Sequence, residues 1–269
     1  MSAPTAGGRG TTVAREALPR VAAPVLLAGG LLVVWEVAVV TAQIPPFLLP
    51  SPRAIAGEVQ AMWPTLSGAI VVTGTNALVG LVIGALVGVG AAILAGMARS
   101  VDRVLAPMVA GLAVVPIVAL APVLYTMFGA AAETARWVVA AVAAFVPVFV
   151  TTLRGLRQTR PVHRDLLRVY AATRRQVTRT LTIPTALPFV FTGLRLASSL
   201  AVISAIVAEY FGGPRTGIGS FITTAAAGSN YARAWAFVVG GVVVGLVFYG
   251  VTLALEHLVR RRTAPVVSR

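Results

Sequence analysis

His163 with Asp165, and Glu256 with His257, are the two places where an imidazole and a carboxylate lie within two residues of each other, as proton transfer or a metal ion would require. Neither pair has the spacing of a catalytic or metal-binding motif, and the two histidines sit far apart near the ends of apolar runs. The chain has no cysteine, so thiol nucleophiles, disulfides and cysteine metal sites are excluded. All 22 basic residues are arginine, and without lysine no phosphate-cradling Walker loop can form. No catalytic residue, metal or cofactor is therefore expected on this chain. An ion-coupled carrier would need ionisable groups deep in the apolar runs, where only Glu36 and Arg195 qualify. Glu36 equally suits a residue held against another helix, and Arg195 can reach back toward water.

The densest chemistry lies in the middle. Eight arginines fall between Arg154 and Arg179 in a chain that is 58% hydrophobic and 11% charged, so this segment must stay in water and face something soluble. Pro161 suits the first turn of a helix in which Leu166, Leu167 and Tyr170 recur on one side of Arg164, Asp165 and Arg168. Thr173-Arg174-Arg175-Gln176 has the form of a capping box, whose side chains satisfy free N–H groups at a helix start. The segment thus reads as two short helices bent near Ala171-Ala172, with Pro184 and Pro188 marking the turn into the next apolar run.

The elements that carry this loop follow from composition. A mean hydropathy of +0.89 and repeated apolar stretches of about 20 residues match the length that crosses hydrocarbon. The fold class is all-α, a polytopic membrane protein with six spans, drawn at 21–41, 68–97, 104–128, 135–153, 186–208 and 235–258. Between the first two lie a proline-rich non-helical segment, 43–52, and a short amphipathic piece, 54–63. Residues 1–20 read as a disordered tail, 21–259 as the six-span domain with its loop at 154–184, and 260–269 as a second tail. The first apolar run is longer than a signal-peptide core and reads as a retained span.

Six spans put both termini on one side, and arginine chooses it. Three arginines before the first span, Arg99 and Arg103, the eight of the central loop and four at the C-terminal end share that side. Arg53, Arg136, Arg215 and Arg233 fall on the other, so the termini and central loop are expected in the cytoplasm. The net charge of +14 is explained by this orientation, and no nucleic-acid partner is expected.

Within the loop, Asp165-Leu166-Leu167, then Ala171, then Leu181-Thr182-Ile183-Pro184 keep the register of the cytoplasmic signature of the permease subunits of bacterial ABC importers: Glu-Ala-Ala, three residues, Gly, nine residues, Ile-x-Leu-Pro. The flanking runs Leu187–Ala197, Leu48–Pro52, Val115–Leu124 and Ala208–Gly219 resemble the nitrate, sulfonate and taurine branch. Related members of that branch are associated with pyrimidine vitamin precursors or riboflavin. The resemblance implies a type I importer permease in a bacterial plasma membrane, driven by ATP and Mg on a separate cytoplasmic ATPase. It also implies an extracytoplasmic substrate-binding protein and a second permease copy as partners.

By position, Asp165, Leu166, Leu167, Tyr170, Ala171, Arg174, Arg175 and Pro184 stand for the ATPase-coupling contacts. Ala171 replaces the family's glycine, which implies a strained or closely packed bend. Thr73, Thr75, Asn76, Ser198, Ser199 and Ser204 are the polar groups inside the spans, of which Thr73, Asn76 and the three serines are the candidates for a solute pathway, although such residues more often join helices. Glu209 sits at the outer mouth. The competing readings are a self-sufficient secondary carrier, and a loop whose arginines only set topology or contact membrane lipid.

Overall fold

In the computed structural model, which describes residues 10–129 and 131–263, all regular structure among the described residues is helical. Hydrocarbon offers no water to an unpaired backbone group, and a helix satisfies its own. The first helix, α1 (Gly10–Thr41), begins inside the stretch read as a disordered tail; residues 1–9 and 264–269 of the two tails lie outside the described residues. The proline-rich segment after it is irregular, as expected, and ends at Ser51, whose hydroxyl accepts the N–H of Ala54 to start α2 (Pro52–Ala61). Glu36 also serves this start, accepting the N–H of Arg53 at 3.0 Å. The carboxylate considered for ion coupling is thus a cap, held by the partial positive charge of a helix N-terminus.

A single uninterrupted helix, α3 (Trp63–Met97), crosses next, followed by α4 (Arg99–Val114). The expected third span does not continue straight. Pro116 has no N–H to donate and forces Val115 into an extended conformation, so the chain breaks, passes through a 3-10 turn (Ile117–Leu120) and resumes as α5 (Ala121–Phe128). Beyond it α6 (Thr134–Arg157) runs back through the centre. The loop then forms α7 (Pro161–Val169) and α8 (Arg174–Val177), and a π segment (Thr178–Thr182) joins α8 to α9 (Ile183–Phe211). The chain does not turn at Pro184 and Pro188. The wide π turn immediately before Pro184 absorbs the missing donor, and the helix runs unbroken from Arg174 to Phe211. A short helix not foreseen in the sequence, α10 (Ile218–Ala227), precedes α11 (Tyr231–Thr263).

Four of these runs are long and apolar enough to span a membrane: Trp63–Met97, Thr134–Arg157, Arg174–Phe211 and Tyr231–Val259. The first expected span appears as a shorter apolar segment, Val25–Thr41, leaning on α11 through Trp35 and Trp235, whose rings meet edge-on at 5.7 Å.

The core is the seam where α6 lies between α3 and α9. Gly80, Gly84 and Gly88 recur every four residues on α3 and face Ala140, Ala141, Ala144 and Val148 of α6. The backbones approach so closely that a Cβ on Gly84 would stand 2.3 Å from the Ala141 carbonyl oxygen. Such contact replaces the hydrophobic drive that lipid cannot supply between helices. On the other flank, Gly155 and Gly193 admit Phe189 and Thr151 in the same way.

Two outcomes test these backbone readings. Gly84→Ala should destabilise the detergent-purified chain by about 1–3 kcal/mol through overpacking, whereas Gly90→Ala, which meets nothing within 4 Å, should be neutral or stabilising in thermal unfolding. Equal effects would contradict the seam. Ala171 has φ +51°, a left-handed conformation that a Cβ disfavours. Ala171→Gly should relieve up to about 1 kcal/mol, read as slower hydrogen exchange over residues 161–177; unchanged or faster exchange would contradict it.

Candidate functional site

Chemistry collects at the two ends of the bundle. At the arginine-rich end, α7 and α8 contain no buried residue. Pro161 occupies the first turn of α7 as expected. Val162, Leu166, Val169 and Tyr170 share one face of α7 and are 73%, 54%, 82% and 75% exposed, so an apolar surface stands uncovered in water. Asp165 and Arg168 pair at 2.9 Å, both exposed.

The capping box forms: Gln176 donates its N–H to the Thr173 hydroxyl at 3.4 Å, and the Thr173 N–H donates to Gln176 Oε1 at 2.7 Å. Arg174 and Arg175 are exposed beside it, while Leu167 and Pro184 are half-buried at the loop's foot. Ala171 is exposed rather than closely packed; its departure from the family glycine is felt in its backbone angle.

At the opposite end the buried groups form one network. Glu209, 2% exposed near the end of α9, accepts a hydrogen bond from the Thr73 hydroxyl at 3.0 Å and from the Gly219 N–H at 2.8 Å. Thr73 in turn accepts the N–H of Ile218 at 2.9 Å. The first turn of α10 therefore points at the carboxylate, and its dipole adds to the attraction. Arg136, fully buried near the start of α6, lies 4.0 Å from Glu209 and 2.7 Å from Glu133, and donates to Tyr125 and to the Pro214 carbonyl. Asn76 donates to Glu133 at 3.0 Å and accepts from the Trp137 indole at 2.8 Å.

The suggested pathway residues thus divide. Thr73, Asn76 and Glu209 come together, and a cavity of about 340 Å3 opens beside Glu209, lined also by Tyr210, Arg215, Ser220, Thr223 and Thr224. Ser198 instead pairs with Thr252 at 3.2 Å, joining α9 to α11. Ser199 is half-buried on an apolar groove between α9, α10 and α11, and Ser204 is buried on α9 outside the network.

Several functional groups escaped the sequence reading. Arg136, counted only among the arginines of the outer side, is fully buried, as are Glu209 and Glu256, whereas Glu36 and Arg195 are half-buried. Arg195 pairs with Glu256 at 3.2 Å, and Thr192 donates to the same carboxylate at 3.0 Å. One signal was available: Gly217-Ile218-Gly219 shortly after Glu209. A Cβ on Gly217 would stand 2.2 Å from the Glu209 carboxyl carbon, so this spacing reports a backbone that must touch a side chain. His163 and His257 are exposed, and among the described residues no group of three or more candidate ligands could hold a metal.

Comparison with known proteins accounts for this layout. The family model described as binding-protein-dependent transport system inner membrane component matches residues 80–264. A probable ABC transporter permease protein of Haemophilus influenzae is 30% identical over 193 residues, covering 72% of this chain and 78% of that protein. The riboflavin transport system permease protein of Chloroflexus aurantiacus is 31% identical over 200 residues, covering 72% and 73%. The taurine transport system permease protein of Escherichia coli is 27% identical over 240 residues, covering 87% and 86%. Among solved structures, an amino acid ABC transporter with histidines shares the fold, with a TM-score of 0.58 at 15% identity over 76% of this chain and 95% of that one. The chain belongs to the family of binding-protein-dependent transport system inner membrane components.

Proposed function

We propose that this chain is the translocation subunit of an ATP-driven importer for a small anionic or heterocyclic solute, and that residues 161–184 engage a separate ATPase. The observation that carries this reading is the uncovered apolar face of Val162, Leu166, Val169 and Tyr170 on a capped support. Apolar surface of this kind in water marks a contact with another protein. The loop is also mechanically connected. From Arg174, in the same loop, the helix continues to Phe211, 38 residues or roughly 57 Å, so that one rod runs from the loop to the Glu209 network.

In this arrangement the arginine-rich end is cytoplasmic, both termini lie on that side of a bacterial plasma membrane, and a substrate-binding protein meets the opposite end. One chain presents one such loop, which supports action as a pair of copies. Relatives are named for taurine, aliphatic sulfonates, nitrate, riboflavin and formylaminopyrimidine, small anions or heterocycles. Arg215 on the cavity beside Glu209 supplies positive charge for such a solute. The buried pair Arg136–Glu209 and the partly buried pair Arg195–Glu256 are groups that an ion-coupled carrier would use, so dependence of uptake on ATP separates the two mechanisms.

The double variant Leu166→Asp, Val169→Asp should stay in the membrane yet no longer co-purify with its ATPase. Hydrolysis stimulated by the loaded binding protein should fall about 10-fold or more, since each carboxylate would be driven into an apolar contact. Undiminished stimulation would refute the docking face. For the opposite end, Glu209→Ala should cost about 3–5 kcal/mol by leaving Arg136 and the Gly219 N–H without their acceptor. Glu209→Gln, which still accepts from Gly219, should cost less than half as much in the same thermal unfolding measurement. Equal losses would show that the carboxylate's acceptor role is not what holds the corner.

A further inference from the structure

The turn between α3 and α4 and the end of α6 enclose a cavity of about 540 Å3 that neither the apolar docking face nor the Glu209 network uses. Its wall carries Arg99, Arg103, Arg157 and Arg164 against a single acid, Asp102. Asp102 pairs with Arg157 at 2.6 Å, and Arg164 donates to the Thr159 hydroxyl at 2.8 Å. These contacts orient two of the guanidinium groups, while Arg99 and Arg103 stand exposed at the rim. With four arginines and one aspartate, the cavity keeps a clear excess of positive charge.

Arg157 also closes one end of a second hollow, of about 400 Å3, between α4 and α6. This one is mostly apolar, walled by Ala106, Val109, Ala110 and Ala113 on one side and Val146, Phe149 and Leu153 on the other, with Arg154 and Gln158 beside Arg157 among its few polar groups. Each wall advances seven residues, roughly 10 Å along its helix. A basic chamber and an apolar groove about as long as half an acyl chain thus meet at one shared arginine, Arg157.

We propose that the two hollows together hold one anionic phospholipid, with its phosphate among Arg99, Arg103, Arg157 and Arg164 and an acyl chain along the α4–α6 groove. Guanidinium groups meet phosphate oxygens in pairs, and each basic residue near a charged headgroup adds to the attraction. The groove gives the chain a dry surface that a free anion could not use. The lipid belongs to the leaflet at the arginine-rich end, whatever protein the loop engages. Because Arg164 lies on α7, the headgroup would bind the foot of the loop to the α3–α4 turn.

The test uses the full chain purified in a neutral detergent, titrated with phosphatidylglycerol, phosphatidylcholine or inorganic phosphate, and read by native mass spectrometry and thermal unfolding. Phosphatidylglycerol should bind as a single retained lipid and raise the unfolding temperature, with phosphatidylcholine and phosphate far weaker. Arg99→Gln with Arg103→Gln should weaken phosphatidylglycerol about 30-fold. Arg174→Gln with Arg175→Gln, which removes the same charge elsewhere on the loop, should leave binding unchanged. Ala110→Phe, which fills the groove, should weaken the lipid and not phosphate. Stabilisation by phosphate equal to that by the lipid would overturn the proposal in favour of a soluble anion. Equal losses from the two arginine pairs would overturn it in favour of unspecific surface charge.

Discussion

A carboxylate that water does not reach sets the geometry of one whole end of this molecule. Burying Glu209 is costly unless its charge is met, and three other elements converge on it: Thr73 from α3, Arg136 from α6 and the Gly219 N–H from the first turn of α10. The convergence constrains the sequence elsewhere. Gly217 and Gly219 have no room for a side chain because the carboxylate and the α9 backbone occupy it. The glycines of α3 in turn let α3 lie against α6 closely enough for Thr73 and Asn76 to enter the same network as Arg136 and Trp137. Close packing and charge neutralisation are therefore two parts of one solution.

The other end obeys the opposite rule. Its charged residues are largely exposed, Val162, Leu166, Val169 and Tyr170 stand uncovered, and its shape is fixed locally by Pro161, the Thr173–Gln176 box and the left-handed Ala171. A segment meant only to remain soluble would not need so much local definition, nor present Val169 and Tyr170 to solvent. The two ends meet in one helical run, where a π turn lets Pro184 stand without a break. Under the proposed function this polarity has a purpose: one end would face the ATPase and the other the delivered solute.

Much of this was legible in the residues, and the failures have physical causes. Long apolar runs located α3, α6 and α9, and the loop's two short helices could be read because caps act through neighbours in sequence. The burial of Arg136 was not legible, because Glu133 three residues earlier makes an i, i+3 pair of the kind found on helix surfaces. Its burial depends on Tyr125, Pro214 and Glu209, which only the folded chain assembles. The helix α10 was hidden in a glycine-rich stretch that reads as loop until a buried carboxylate explains why backbone must approach. Proline was ambiguous in itself: Pro116 breaks its span, while Pro184 follows a wide turn and does not. Hydroxyls were ambiguous in the same way, since Thr75 and Thr151 bond carbonyls of their own helices and Thr73 bonds across three.

The central claim, that an exposed loop at the arginine-rich end couples this permease to a cytoplasmic ATPase, is tested most directly by chemical accessibility. The chain has no cysteine, so Tyr170→Cys introduces a single reactive site. In membranes containing the assembled transporter, an impermeant maleimide should label it only from the cytoplasmic face, and a short bifunctional reagent should join it to the ATPase. Labelling from the outer face, or the absence of any cross-link to the ATPase in an assembly that hydrolyses ATP on demand, would contradict the account.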